Sequence, residues 1–350
     1  GVVPRLAIVS GRRFAGNAVI AGCSDLIVAT RNSSMGMGGP AMIEGGGLGT
    51  VAPDDVGPIG MQTKNGVVDV AVKDEAEAVE VTAKLLAFSQ GDSDPVDPPD
   101  QARLAEIIPE RRRRAYDVGP LIETLADSGS AVFLRDAFAP EMVTAFIRIE
   151  GRAVGVIANN PMHMAGAITS EGADKAARLL QLCDAFGIPV LSLVDTPGMM
   201  VGPEAEATGL VRHCSRLLVA GASLSVPFVA VITRRGYGLG AQAMVAGSLH
   251  EPLLTVAWPS AELGPMGLEG AVRLGMRREL EKIEDDAERE RTVRELTEMA
   301  LENAKALNAA SLFELDDVID PADTRRLVSS TLAAAATGGP RPPRRFVDTW

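Results

Sequence analysis

Two turns in this 350-residue chain place glycine and alanine where an apolar run gives way to a small-residue helix. One is Phe14-Ala-Gly-Asn17 and the other is Gly238-Leu-Gly-Ala-Gln-Ala243. The first N–H groups of a helix have no partner within it, and small side chains let a ligand oxygen approach them. Three chemistries use that device. Dinucleotide binding would read Gly238, Gly240 and Ala243 as G-x-G-x-x-A, with Glu262 roughly 20 residues on as the ribose acid. Trp258-Pro-Ser-Ala261 intervenes where that acid should end a strand, and the turn at Phe14 lacks the pattern. Nucleotide hydrolysis would use Asp195-Thr-Pro-Gly198 as D-x-x-G, but no Gly-Lys dipeptide supplies a P-loop. The third chemistry is an oxyanion hole, in which backbone N–H groups hold a developing negative oxygen without a titrating side chain. It suits a chain whose three histidines have no convincing triad partner, whose glycine turns hold no carboxylate pair, and which has no G-x-S-x-G elbow.

Such turns need strands and helices to aim them. The run Gln90 to Asp100 clusters Pro, Asp and Gly without periodicity and marks the best boundary. Before it, Lys73–Phe88 has helical spacing. After it, strand-like Val143–Ile149, Ala153–Ala158, Val190–Val194 and Phe228–Thr233 alternate with helical Ala173–Phe186 and Ala205–Gly221, an α/β signature. Pro4–Ala18 resembles Pro227–Ala241, and Leu26–Ala29 followed by Met35–Pro40 parallels Leu254–Ala257 followed by Leu263–Gly267. The chain therefore reads as two copies of one unit. The first enters strand-like Leu6–Ser10 straight after Gly1-Val-Val-Pro4, so the expectation is that this copy is incomplete at its N-terminus. The expected division is a first unit over 1–95, a linker over 96–115, a second unit over 116–335 and a tail over 336–350.

Composition narrows the function classes. With 46% hydrophobic residues but 4% aromatic, 36 Gly and 22 Pro, the core must be aliphatic and rich in close backbone approaches. A net charge of −12 argues against wrapping nucleic acid. Cys23, Cys183 and Cys214 form no C-x-x-C pair, which excludes a disulfide scaffold and a sequence-evident zinc site and fits the reducing cytoplasm. The longest apolar stretch, Leu217–Ile232, is broken by Ser223, Ser225 and Pro227 and falls short of the roughly 20 residues a membrane span needs. The charged stretch Arg277–Leu307 reads as a long solvated helix or pair.

Several motifs in order carry a family resemblance: Asn160-Pro-Met-His-Met-Ala-Gly-Ala167, Lys175 to Pro189, Val194-Asp-Thr-Pro-Gly198, Arg212-His213, Val231 to Gly238, Ala257-Trp-Pro259 and Met266-Gly267, with Ala15-Gly16 and Thr63–Val68 in the first copy. Together they resemble the carboxyltransferase (beta) subunit of biotin-dependent acyl-CoA carboxylases, the propionyl-, acetyl- and methylcrotonyl-CoA carboxylase family of the crotonase-like superfamily. The resemblance implies two crotonase-like ββα-superhelix domains. It implies transfer of CO2 from carboxybiotin on a carrier protein to the α-carbon of an acyl-CoA through an enolate. The biotin nitrogen takes the substrate proton, so no side-chain base is needed. Two oxyanions call for two holes, which a duplicated unit supplies.

Carried over by position, the acyl-CoA-side hole uses the N–H of Gly16, beside Ala15. The biotin-side hole uses Gly240, flanked by Gly238 and Leu239, with a second donor from Gly166 or Ala165. Gln242 stands where several propionyl-type relatives carry aspartate, a position linked to acyl selectivity, and Ala15 stands where relatives have glycine. The zinc ribbon of some bacterial relatives has no counterpart, so no metal is expected. The implied partners are a biotin carboxylase/biotin carboxyl carrier subunit, the acyl-CoA, and further copies of the chain as dimer to hexamer, with no nucleic acid or membrane. Two other readings stay open: a crotonase-fold enoyl-CoA hydratase or isomerase, and a non-catalytic scaffold subunit of a carboxylase complex.

Remaining candidates have plainer readings. His163 is a hydrogen-bonding loop residue or a shaper of the biotin loop, and His213 a satisfied core or interface residue. Asp195–Gly198 either forms a turn or lines a pocket. Arg111–Arg114 is solvated linker or meets CoA phosphates. Met35, Met37, Met199, Met200 and Met266 fill core or line an acyl slot.

Overall fold

The structure, a computed structural model, describes residues 1–335 and 347–350. Residues 336–346 of the expected tail lie outside the described residues. The described residues hold thirteen strands: β1 (Leu6–Val9), β2 (Arg12–Phe14), β3 (Leu26–Thr30), β4 (Ser34–Gly36), β5 (Val70–Val72), β6 (Val132–Leu134), β7 (Met142–Ile149), β8 (Arg152–Asn159), β9 (Val190–Thr196), β10 (Phe228–Tyr237), β11 (Leu254–Ala257), β12 (Glu262–Gly264) and β13 (Asp317–Val318). They form a small sheet β1-β3-β5, a pair β2-β4, and a large sheet β13-β11-β10-β9-β8-β7-β6 with β12 pairing on β10.

The sequence repeat is a repeat of pairing. In the first unit β1 runs parallel to β3 with Leu6 opposite Leu26, and β2 runs parallel to β4 with Phe14 opposite Gly36. In the second, β10 does the work of both β1 and β2. Its start pairs with β11, Val229 opposite Leu254, and its end pairs with β12, Tyr237 opposite Gly264. The hinge between these halves is a register shift between Ile232 and Gly236. A third parallel strand then joins each copy, β5 on β3 and β13 on β11. This is the mixed α/β, crotonase-like architecture, built twice.

The strands of the large sheet's centre are buried along their whole length, as in β9, so they read as continuous apolar runs. Helix Ser170–Phe186 lies across them. Thr169 caps it by accepting from the Gly172 N–H at 3.0 Å, and Gly187 (φ 75°) ends it. Helix Glu75–Ala87 is likewise capped by Asp74. Leu26, Val28, Val72, Leu85 and Phe88 of the first unit share one apolar core with Met142, Phe146 and Ala173 of the second. A buried ion pair between Arg135 and Asp69 at 2.9 Å crosses the same seam.

The structure departs from expectation in three places. The 96–115 segment is not free linker throughout, because Leu104 is fully buried against Leu121 and Ile122. The helix expected over 205–221 is broken by left-handed Gly209 into Pro203–Glu206 and Leu210–Ala222. The charged stretch from Arg277 holds helices Arg277–Leu280, Asp286–Ala304 and Ala306–Ser311.

Candidate functional site

The first turn sits between β2 and helix Gly16–Gly22. Ala15 has φ 52° and ψ −126°, a conformation glycine adopts freely and alanine only with strain. Its N–H donates to the Gly36 carbonyl at 3.2 Å, and its carbonyl accepts from the Val19 N–H at 3.0 Å. The two groups of a trans peptide point opposite ways. With the Ala15 carbonyl turned into the helix, the Gly16 N–H points out of its end. No side chain caps the helix, and Ala15 and Gly16 are both exposed.

The second turn opens helix Gly238–Met244, which also has no side-chain cap. Gly238 has φ 55°, and a β-carbon there would lie 2.6 Å from the Pro265 carbonyl oxygen. As third residue of the helix, Gly240 keeps an N–H without an intrahelical acceptor. Gly240 itself is buried, with the far side of its backbone pressed on Gly198. Leu239 and Gln242, three residues apart on one helix face, are both exposed.

The loop after β8 reverses one expectation. Met164, Ala165 and Gly166 all have positive φ (48°, 54° and 79°). The Gly166 N–H donates to the His163 carbonyl at 2.8 Å, so it is consumed inside the loop and is not a free oxyanion donor. The Ala165 N–H is differently placed. The Met164 carbonyl accepts from the Ala167 N–H at 3.0 Å, which turns the Ala165 N–H of the same peptide outward from an exposed residue.

The turn Asp195–Gly198 backs both the Gly166 loop and the helix that holds Gly240. A β-carbon on Gly166 would lie 2.5 Å from the Asp195 carbonyl oxygen, and one on Gly240 would lie 2.6 Å from the Gly198 carbonyl carbon. The Asp195 carboxylate, 1% exposed, accepts from Arg235 Nε at 2.7 Å and Arg234 Nε at 2.9 Å. Asp195 is therefore a buried structural anchor rather than a pocket wall. Arg234 also stacks 4.8 Å from the Tyr116 ring centre and donates to the Arg114 carbonyl at 2.8 Å.

Of Arg111–Arg114, three are exposed, as solvated linker would be, and Arg112 departs from that reading. Arg112 is half-buried: it pairs with Glu262 and donates to the Tyr237 hydroxyl at 2.8 Å, while exposed Arg113 pairs with Glu269 at 3.0 Å. Burial opposes the Arg112 charge, but the hydrogen bond with Glu262 overcomes it and holds the guanidinium protonated. The Tyr237 hydroxyl, buried and hydrogen-bonded to Glu262, is pushed well above its usual range. Sequence reasoning missed Arg112, Arg234 and Arg235 as site builders. The available signal was an Arg-Arg pair inside an otherwise apolar buried strand.

Other candidates resolve simply. His213 Nδ1 lies 2.6 Å from Asp174, satisfying it as expected. His163 lines a cavity of about 360 Å³ with Asp117, Asn160 and Lys175. Met35 is core, Met199 and Met200 pack on the core edge, and Met37 and Met266 are exposed. The two turns belong to different cores: Ala18 and Ala21 pack with Val9 and Ile27, whereas Ala241 and Ala243 pack in the main core. Among the described residues no cluster of three or more His, Cys, Asp or Glu is arranged to hold a metal ion, and no helix is long and apolar enough to cross a membrane.

Comparison with known proteins agrees with this architecture. The chain is 34% identical over 351 residues to the methylmalonyl-CoA carboxyltransferase 12S subunit of Propionibacterium freudenreichii subsp. shermanii, covering 96% of this chain and 66% of that one. It is 34% identical over 342 residues to the propionyl-CoA carboxylase carboxyltransferase subunit of Haloferax mediterranei, covering 94% of this chain and 66% of that one. The chain thus spans about two thirds of the length of these curated relatives. Among solved structures, a single-chain, multi-domain long-chain acyl-CoA carboxylase superposes with a TM-score of 0.89 at 50% identity, over 94% of this chain and 32% of that one. A transcarboxylase 12S hexamer with methylmalonyl-CoA bound superposes with a TM-score of 0.87 at 32% identity, over 99% of this chain and 68% of that one. The family model described as the carboxyl transferase domain matches residues 1–347, and the chain belongs to that family.

Proposed function

We propose that this protein moves CO2 from carboxybiotin on a carrier protein to the α-carbon of an acyl-CoA. The observation that carries the reading is the duplicated turn, with backbone N–H groups directed outward at Gly16 in one unit and beside Gly240 at Ala165 in the other. In this scheme the N–CO2 bond of carboxybiotin breaks, and the charge left on the ureido oxygen is held by the Ala165 and Gly240 N–H groups. The ureido nitrogen takes the α-proton of the acyl-CoA, whose thioester oxygen gathers negative charge against the Gly16 N–H. The enolate carbon then bonds to CO2, giving biotin and an α-carboxyacyl-CoA. Fixed backbone donors suit both oxyanions because they need no reorientation as charge develops.

The division into an acyl-CoA unit (1–95) and a biotin unit (116–335) belongs to this reading, as do Ala15, Gly238, Leu239 and Gln242 as substrate-contacting residues. We propose a homo-oligomer of dimer to hexamer size, in which the first unit of one copy meets the second unit of another, as the family resemblance implies. The partner is a biotin carboxylase/biotin carboxyl carrier subunit, and the setting is the cytoplasm, in keeping with three free cysteines. A long acyl chain is favoured over propionyl. Identity to the long-chain enzyme is 50% against 34% to the propionyl-type relative, and uncharged Gln242 faces outward on the donor helix. A hydratase or isomerase is not favoured, because neither turn carries an acidic pair.

The test is carboxyl exchange by the full-length protein, with free biotin as acceptor and a series of α-carboxyacyl-CoA donors from methylmalonyl-CoA to long-chain homologues. Exchange with turnover rising along the series supports the reading. A folded oligomer that exchanges with none of them overturns it in favour of the scaffold.

A further inference from the structure

We propose that Arg235 is a positioning residue for the biotin-side donor, clamping the neighbouring Ala165–Gly166 peptide through its carbonyl and so holding the strained loop that presents the Ala165 N–H. This rests on the proposed reaction for its kinetic consequence only; the structural claim stands apart from it.

Met164 and Ala165 are non-glycine residues held at φ 48° and 54°, conformations an L-residue adopts at a cost. A short loop of that kind keeps one shape only if its surroundings over-determine it. Two bonds within the loop help: Gly166 N–H to His163 carbonyl at 2.8 Å and Ala167 N–H to Met164 carbonyl at 3.0 Å. The first turns the Ala165 carbonyl, on the far side of the same peptide, out of the loop. That group accepts from Arg235 Nη2 at 2.8 Å, and the same guanidinium donates through Nε to Asp195 at 2.7 Å. One planar fork therefore joins the donor loop to the anchor that also backs Gly240.

Strand geometry makes the arrangement specific. Consecutive strand residues point to opposite faces, yet Arg234 and Arg235 both reach the Asp195 carboxylate. They do so because the register of β10 on β9 shifts between Ile232 and Gly236, re-aiming neighbouring side chains as bulges do. Arg234 directs its Nη1 to the Arg112 and Arg114 carbonyls, away from the loop, whereas Arg235 reaches it. Lysine at 235 would keep the charge and reach one partner, but it lacks the fork that serves two.

The experiment compares full-length wild type with Arg235→Lys and Arg235→Ala. Amide hydrogen exchange at Gly166 and Ala167 is expected to quicken at least tenfold in both variants, with amides of the Gly16–Gly22 helix unchanged. In the carboxyl-exchange assay, kcat is expected to fall at least tenfold while KM for the acyl-CoA stays within twofold. If Arg235→Ala does not fold, Arg235→Lys decides. Unaltered Gly166 and Ala167 exchange in folded Arg235→Lys overturns the proposal, as does wild-type kcat. Wild type with no carboxyl exchange at all would sink the proposed function and leave the amide measurement to judge this claim.

Discussion

Gly240 lies backbone to backbone on Gly198: a β-carbon at 240 would come 2.6 Å from the Gly198 carbonyl carbon and 2.7 Å from its α-carbon. Its counterpart in the first unit, Gly16, has nothing within 4 Å of the same position. The two glycines are thus needed for different reasons. At 240, a side chain would fill no ligand space; it would prise the donor helix off the turn that anchors Asp195. At 16, glycine's role is confined to its N–H, which alanine also supplies.

Substitution should expose that asymmetry. Gly240→Ala is expected to lower stability by about 1–3 kcal/mol, the range for overpacking against backbone. Carboxyl exchange should fall on the order of 100-fold, as a misplacement of about 1 Å costs. Gly16→Ala is expected to stay within about 0.5 kcal/mol of wild type, with exchange activity within a few-fold. Urea unfolding and the exchange assay measure both. Equal losses at the two positions would refute the asymmetry.

A second expectation concerns the segment between the units. Arg112 reaches Glu262, 150 residues away in sequence, and the hydroxyl of Tyr237 immediately before the donor helix. Its side chain is 35% exposed and that of Glu262 11%, so removing it strands a largely buried carboxylate that is only partly screened by solvent. Arg112→Ala is expected to cost about 1–2 kcal/mol, below the range for a fully buried pair. Arg113→Ala, whose partner Glu269 is surface-exposed, is expected to cost less than about 0.5 kcal/mol. Denaturant midpoints for the two variants, measured side by side, check this; equal values would mean that the linker latch contributes nothing.

These cases mark what the chain discloses in one dimension. The α/β alternation, the duplication and both glycine turns are legible because each is local: an apolar run, a small-residue turn, then helical spacing. Peptide direction is not. Gly166 draws attention as the glycine of its loop, yet its N–H is turned inward to His163, and the exposed donor belongs to Ala165. Charge partners at long range are equally hidden, so Arg112 looks like solvated linker until β10 and β12 bring Tyr237 and Glu262 beneath it. The shared core of the two units was also beyond reach, because Leu26 and Val28 read as the buried face of their own sheet rather than as neighbours of Ala173.

Lys175 supplies a pH test that does not depend on turnover. Its ammonium is 2% exposed and donates to the Phe138 carbonyl at 2.7 Å. Burial lowers its pKa from the ordinary 10.5 to about 7, with Glu141 and Asp136 pulling it back up and Arg135 pushing it further down. Between pH 7 and 10 the unfolded chain therefore holds a proton that the folded chain lacks, so raising the pH favours folding. Below pH 7 both states are protonated and this contribution is flat. Lys175→Met removes the titration. The stability of wild type minus that of Lys175→Met is expected to rise between pH 7 and 9, by no more than about 1.4 kcal/mol per pH unit. Urea midpoints at pH 6, 7, 8 and 9 measure the difference. A difference that stays constant across the series would mean that the buried amine remains charged in the folded protein, held so by Glu141 and Asp136.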